Sequence, residues 1–582
     1  MRHGTGGRRL VPGVLRSAAR TIALGPVLFS LVACATPAGA PSNGAGAASQ
    51  SSQPAATRKS IIMAISREPT SIEPSLQPQN REWSALASGF LAYFSPEIQG
   101  PVPYLAEELP SVEKGTWKVL ADGRMETTYR LKANATWQDG QSITAHDFVF
   151  GWIARTDPEM PVHSVNVERK LSNAVALDDK TLFLEWKEPY LWAGSPHLPD
   201  FAPLASHKLE RMYREDKAAF IDGPQWREDF LGSGPFRVVS WDPGIEIVFA
   251  AYDGFVLGKP GLDEIRVRFI GDTNTIVANL MSGNVDVSFS VSIGFPQGQA
   301  LEQAGWPGNV LYWQGNPRIV EFQGRDWGDT QRAVFDPRVR RAALHGIDRQ
   351  SIVDSIYAGR AWVAYFWLSP LDPAYSAVDR AVTKHGYDPN RAIELLREAG
   401  WNRGGDGIAR NAAREALALP IMNQPTEPDQ LEAAIIVDNW KALGVSSDVY
   451  RLSQPEIRDN ELRSKFPAIS YNRRNLTLEN MVWTERNLSR PETRWSGQNR
   501  TGYINHALDE LWGKVLGSIE PKEREGYLVD ALRIMQDDAM VTLTHITPDV
   551  MAHSPAVEGP KDTAVEPTSR IWNIWEWRRK DR

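Results

Sequence analysis

The chain has 582 residues, 42% of them hydrophobic and 23% charged, with a formal charge of −7 and one cysteine. That length allows several domains, the composition is that of a globular protein, and the acidic balance argues against nucleic acid as a partner, whose phosphates require a basic stripe. One thiol excludes disulfides, CxxC redox chemistry and thiolate metal clusters.

The N-terminus reads as an export signal. Arg2, Arg8, Arg9, Arg16 and Arg20 are followed by an apolar run, Thr21 to Ala33, without an acidic residue. Small residues then precede Cys34, which completes the order of charged region, apolar region and cleavage point. The run contains Gly25 and Pro26 and is shorter than the ~20 residues a membrane span needs. Leu31-Val32-Ala33-Cys34 resembles a bacterial lipobox, which implies a signal peptide over 1–33 and lipidation of Cys34; an ordinary secretory signal is the alternative. Cleavage there would take the formal charge from −7 to −12. Residues 34–57 are expected to be a flexible tether: after Cys34 they are small, polar or Pro and carry no charge, with a coil span of roughly 25–29 Å.

Order is expected from Ser60-Ile61-Ile62-Met63-Ala64-Ile65, an apolar run of strand length. Thr127–Leu131 and Thr181–Trp186 read as strands, and Phe236–Trp241 with Glu246–Phe249 as a hairpin turning at Pro243-Gly244. Ile265–Phe269 alternates with period two. Asp336-Pro337, Asp348 and Asp388-Pro389 each supply a helix start, with apolar stripes following and Gly359 and Gly400 as stops. Thr144 and Asp147 have capping-box spacing. Arg338, Arg340 and Asp348-Arg349 are expected to form a salt-bridged helix junction.

Catalytic signatures are lacking. There is no His-Glu-x-x-His, the ten histidines are scattered, and no Gly-x-Ser-x-Gly elbow occurs. Neither a cofactor nor a metal site is expected.

The succession of blocks resembles the family 5 extracellular solute-binding proteins of ABC importers, the peptide-, oligopeptide- and nickel-binding receptors. The blocks are Glu68-Pro69-Thr70-Ser71-Ile72-Glu73-Pro74, Trp137-Gln138-Asp139-Gly140 running through Thr144-Ala145-His146-Asp147, Gly232-Ser233-Gly234-Pro235-Phe236, Leu280 to Asp286, Phe335 to Arg349, Tyr387 to Trp401, and Trp440 to Val445. Glu73 stands where the family usually has Asp. The resemblance implies an α/β periplasmic-binding-protein type II fold of two lobes with a hinge and an extra inserted domain. It divides the chain into lobe I (58–105, 200–288 and 542–582), an inserted domain (106–199) and lobe III (289–541). It implies a non-enzymatic receptor, expected to be monomeric, that hands peptides or peptide-like solutes to an ABC permease and ATPase at the outer face of the membrane. An exported lipoprotein hydrolase acting on sugar or peptide is the alternative from another class.

In peptide-binding relatives an Asp after a late strand meets the ligand's ammonium. Here no Asp occurs between Asp459 and Asp509, and the matching stretch is Tyr471-Asn472-Arg473-Arg474-Asn475. Arg473 or Arg474 is therefore expected to meet an anionic or polar ligand group, unless both pair with Glu479 and Glu485. Arg67, Glu68 and Ser71 after the first strand are further contact candidates, as are the flat surfaces of Trp83, Tyr93, Trp362, Tyr365 and Trp367.

Cys34→Ser is expected to release the protein from membranes or leave it unprocessed, with solute affinity unchanged. Membrane fractionation and solute titration check this, and an altered affinity would contradict it.

Overall fold

The computed structural model describes residues 59–73, 81–161, 167–195, 201–289, 292–478, 481–562 and 569–580. Cys34, the tether and Glu479 lie outside the described residues.

One large mixed sheet dominates. Its hydrogen-bonded order is Val449–Arg451, Ile421–Asn423, Ile469–Arg473, Asn309–Phe322, Val541–His553, Val287–Ser288, Ser60–Ile65, Glu264–Phe269, Glu246–Ala251 and Phe236–Asp242. The short strand Trp362–Val363 adds to Val541–His553 off this path. Ser60–Ile65 has parallel neighbours on both sides, and Ile61, Met63 and Ala64 are fully buried. A strand covered on both faces reads as such a continuous apolar run. Glu264–Phe269 keeps its period of two: Ile265 and Val267 are buried, while Arg266 and Arg268 reach across to Glu246 on the antiparallel neighbour. The expected hairpin turns at Gly244, whose φ is +75°.

A second, antiparallel sheet runs Trp117–Val119, Met125–Arg130, Thr181–Trp186 and Leu171–Asp178. The helix Ala145–Thr156 packs on it. Asp147 explains why the Trp137 block has its spacing. Its buried carboxylate accepts from Thr144 N (2.8 Å), Trp137 Nε1 (3.2 Å) and Ser206 N and Oγ (2.9 and 2.6 Å). One side chain thus caps the helix and ties turn, helix and following segment together.

The three expected aspartate caps form. Asp336, Asp348 and Asp388 accept from the backbone N–H of Arg338, Ser351 and Arg391 at 2.8, 2.9 and 2.9 Å. The helix after Asp348 turns left-handed at Ala358 as well as Gly359. The expected salt-bridged junction is corrected. Arg338 pairs with its own cap, Asp336. Arg340 donates to the carbonyls of Val334, Phe335 and Asp538, and Arg349 to those of Leu344, His385 and Leu543. These guanidiniums donate to backbone carbonyls, several of them at helix ends, where a carboxylate has no proton to give.

Two long strands, Asn309–Phe322 and Val541–His553, pair antiparallel along their length. One end of this ribbon meets Val287–Ser288 and the other meets Ile469–Arg473. Between these ends the register breaks twice: Gln314 faces Pro548 and Pro317 faces Ile546, so Gly315 and Asn316 stand opposite Thr547 alone, and Arg318 faces His545 while Ile319 faces Leu543, which leaves Thr544 as an extra residue on the other strand. Pro317 and Pro548 have no N–H to give, and a bulge of this kind bends and loosens a ladder.

Gly232 and Gly234 let the backbone at Ser233 press against Ala87. Ser233 N and Gly234 N both donate to Ala87 O (3.1 and 2.9 Å). A Cβ on Gly232 would lie 2.0 Å from Ala87 O, and one on Gly234 2.5 Å from Ala87 C. Either Gly→Ala change should lower stability by about 1–3 kcal/mol or more, because backbone must shift. Gly513→Ala, in open space within the helix His506–Gly517, should instead stabilise by about 0.5–1 kcal/mol. Urea unfolding midpoints of the three variants check the contrast.

Candidate functional site

Arg318 and Glu321 interrupt an otherwise apolar part of the first long strand. Three positions apart on a strand, they face opposite sides of the sheet, and both are almost wholly buried. Each gathers its own polar cluster.

Arg318 meets the helix Glu427–Ala442. Its Nε donates to Glu432 Oε2 at 2.7 Å, and its Nη1 lies 3.4 Å from Asp429 Oδ1. Tyr357 OH donates to Glu432 Oε1 at 2.5 Å, and His545 Nε2 lies 3.3 Å from the same oxygen. Burial alone would raise the Glu432 carboxyl, but Arg318, His545 and Tyr357 bring it down to about 2. This cluster closes on itself: one guanidinium faces two carboxylates.

Glu321 faces the other way. Its Oε2 accepts from Asn472 Nδ2 (2.5 Å) and Ser470 Oγ (3.3 Å), and its Oε1 from Trp483 Nε1 (2.8 Å). Arg474 Nη2 lies 3.5 Å from Oε1. Beside this group a small pocket opens to solvent, with Asn423, Gln424, Arg463, Asn472 and Arg500 among its lining residues. It lies at the carboxyl ends of the parallel strands Ile421–Asn423 and Ile469–Arg473, where open α/β sheets take their ligands. Burial, with Arg463 and Arg474 nearby, pulls Arg500 down to about 9; burial and Arg474 lower Arg463.

The expected contact residues fall into separate groups. Tyr471 and Asn472 line this pocket. Arg474 adjoins it through Glu321 and donates to Gln498 O at 2.7 Å; its partners are thus Glu321 and Gln498, and Glu485 instead lies 3.4 Å from His506. Arg473 is exposed, and Asn475 is half-buried with its carbonyl taken by Thr477 N. Trp367 joins the same region from below: it is buried, meets Trp483 edge-on at 5.0 Å and donates to Thr477 O. Trp362 and Tyr365 lie along the second long strand, where Trp362 pairs with Ile546 and the Arg349 guanidinium covers the Tyr365 ring at 4.8 Å.

The remaining candidates belong to the other half of the sheet. Arg67 is exposed. Glu68 clamps the hairpin, accepting from Trp241 Nε1 (2.7 Å) and Gly244 N (2.9 Å). Ser71 is buried and donates to Trp226 O, and Trp83 is core, tilted on Phe289 at 5.0 Å. Tyr93 stacks on Trp572 at 6.0 Å. The unusual Glu73 forms a buried ion pair with Arg155 at 2.9 Å, beside a small recess. Its extra methylene relative to Asp lengthens the reach toward that arginine. A candidate cation group is Glu485, His506 and Asp509, whose ligand atoms lie within 4.8 Å of one another; exposed acids gather this way without an ion.

Sequence reading missed Glu321, Trp483, Arg463 and Arg500. The available signal was Glu321 itself, a carboxylate within Ile319-Val320-Glu321-Phe322, since an acid in a buried run needs partners.

A profile of the bacterial extracellular solute-binding proteins, family 5 (middle region), matches residues 100–488. The chain belongs to that family. It is 25% identical over 332 residues to the oligopeptide-binding protein AppA of Bacillus subtilis (strain 168), a stretch covering 56% of this chain and 58% of that protein. It is 22% identical over 457 residues to heme-binding protein A of Haemophilus influenzae (strain ATCC 51907 / DSM 11121 / KW20 / Rd), covering 74% of this chain and 76% of the relative. Among solved structures, the oligopeptide-binding protein of Thermus thermophilus, complexed with a pentapeptide, superimposes with a TM-score of 0.68 at 20% identity, over 89% of this chain and 96% of that one. The fold is the periplasmic-binding-protein type II fold.

Glu432 links folding to acid. Its folded pKa of about 2 lies below the ordinary 4.5, so its contribution is present above about pH 4.5 and is lost as pH falls toward 2. Glu432→Gln should flatten the stability–pH curve in that window. At neutral pH it should cost about 3–5 kcal/mol, as expected when one partner leaves a buried pair. Denaturant titrations across pH check both.

Proposed function

We propose that this protein is the solute-capturing component of an ABC import system. It takes peptides or peptide-like solutes between two lobes and delivers them to a permease and ATPase, performing no chemistry of its own. The single observation that carries this reading is the ribbon of two long strands with its broken register, widest at Gly315 and Asn316. Each end of the ribbon is built into a different half of the sheet, and the loosened rungs at Gly315, Asn316 and Pro317 give a place to bend. Family membership supports the same reading, since this family consists of extracellular receptors.

The lobes we assign are 58–105 with 200–288 and 542–582 on one side and 289–541 on the other, with 106–199 inserted. The separate antiparallel sheet at 117–186 supports the insertion. Attachment is assigned to acylated Cys34, and no helix among the described residues is long and apolar enough to cross a membrane. A multiply acylated cysteine anchors stably, and the tether would hold the receptor at high effective concentration beside its transporter. We assign a monomer that uses no cofactor.

A thermal-shift screen with pooled tri- to pentapeptides tests the reading. A binding pool should raise the melting temperature by mass action, equivalent to about 2.7 kcal/mol at a hundredfold excess over Kd, and mass spectrometry should recover every peptide intact. Hydrolysis at catalytic turnover would contradict the reading.

A further inference from the structure

Three guanidinium groups converge where the Ile421–Asn423 and Ile469–Arg473 strands end. Arg463 comes from the short helix Asn460–Ser464, Arg474 follows Ile469–Arg473, and Arg500 precedes the helix His506–Gly517. Arg500 is 6% exposed and the Arg474 side chain 11%. Their partners are mostly neutral. Arg463 Nη1 donates to Ile457 O (3.1 Å), Arg500 Nη2 to Asn460 Oδ1 (3.3 Å), and Arg474 to Gln498 O (2.7 Å) and Gln498 Oε1 (3.2 Å). Among the described residues, the ion pair recorded for this trio is that of Arg474 with Glu321, at 3.5 Å. Glu321 already accepts from Asn472, Ser470 and Trp483. Among the described residues, the buried Nε atoms of Arg474 and Arg500 donate to no protein atom.

Among the described residues this is positive charge drawn out of water with less negative charge than it needs, which a fold tolerates badly. The contrast with Arg318, two carboxylates against one guanidinium on the opposite face, is direct. The pocket beside Arg463, Arg500 and Asn472 opens to solvent, so a solute can supply what the protein does not. We infer that this pocket seats an oxyanion of the bound solute, a carboxylate or a phosphate, on Arg463 and Arg500, with Arg474 behind them held by Glu321. The inference rests on the receptor reading above and deepens it: the captured solute is anchored by negative charge. Arginine forks hold such groups through paired N–H donors. The exposed Arg473, though adjacent in sequence, has no part in it.

The test uses the full-length protein and its Arg500→Gln, Arg463→Gln and Arg473→Gln variants. Inorganic phosphate and glutarate are compared with chloride at matched ionic strength, and tripeptide acids with their C-terminal amides. Wild type should melt higher in phosphate or glutarate than in chloride, the stronger of the two identifying the anion class. Arg500→Gln and Arg463→Gln should abolish that increment, and Arg500→Gln should also raise the melting temperature without ligand, because it removes a buried charge with no carboxylate partner among the described residues; a structural role would lower it. Arg473→Gln should change neither. Tripeptide acids should bind at least tenfold tighter than the amides. Acids and amides that bind alike overturn the oxyanion seat and leave the receptor reading standing. A retained phosphate response with no peptide bound supports the seat and counts against peptides as the solute. Absence of any oxyanion response in wild type, or a response undiminished in both Arg500→Gln and Arg463→Gln, overturns the inference.

Discussion

The antiparallel pairing of Asn309–Phe322 with Val541–His553 is the constraint on which the rest of the molecule depends. These strands come from distant parts of the chain, yet their ladder runs from Asn309 opposite His553 to Glu321 opposite Val541. One end completes the sheet around Ser60–Ile65, and the other completes the sheet around Ile469–Arg473. A slip of one residue would turn every side chain to the other face. Arg318 would lose Glu432 and Asp429, and Glu321 would lose Asn472 and Trp483. Register, buried charge and site geometry are therefore one problem with one solution.

Buried charge is handled differently on the two faces. Around Arg318 the guanidinium is fully matched by carboxylates inside the protein, which suits a permanent joint between the strand and the helix Glu427–Ala442. Around Glu321 the cations outnumber the acid, and a pocket lies beside them. An unbalanced cluster is poor scaffolding, and under the proposed reading an anionic solute would make up its deficit.

Much of the fold was legible in the sequence because it is written in local rules. Aspartates at 336, 348 and 388 cap helices as their spacing foretold, and the hairpin turns at Gly244. The Ser60–Ile65 strand is buried as its composition requires. The family-like blocks were recognisable for the same reason: Trp137 and Asp147 are near in sequence and bonded in space. The site was less legible because its parts are far apart. Glu321, Arg463, Arg474 and Arg500 meet only through sheet pairing, so no local window contains them together. Aromatic residues misled for a related reason: Trp83 and Trp367 are flat surfaces in the sequence but core residues in space. Arg473 and Arg474 were indistinguishable by position, and strand alternation separates them, one exposed and one drawn in against Glu321.

The central claim is that solute draws two halves of one sheet together across the break at Gly315–Pro317. The most direct measurement is the distance between spin labels at Lys259→Cys and Lys441→Cys, both exposed positions, in a Cys34→Ser background, by pulsed electron paramagnetic resonance. The account predicts that saturating solute shifts the distance distribution to shorter values. An unchanged distribution in the presence of fully bound solute would contradict it.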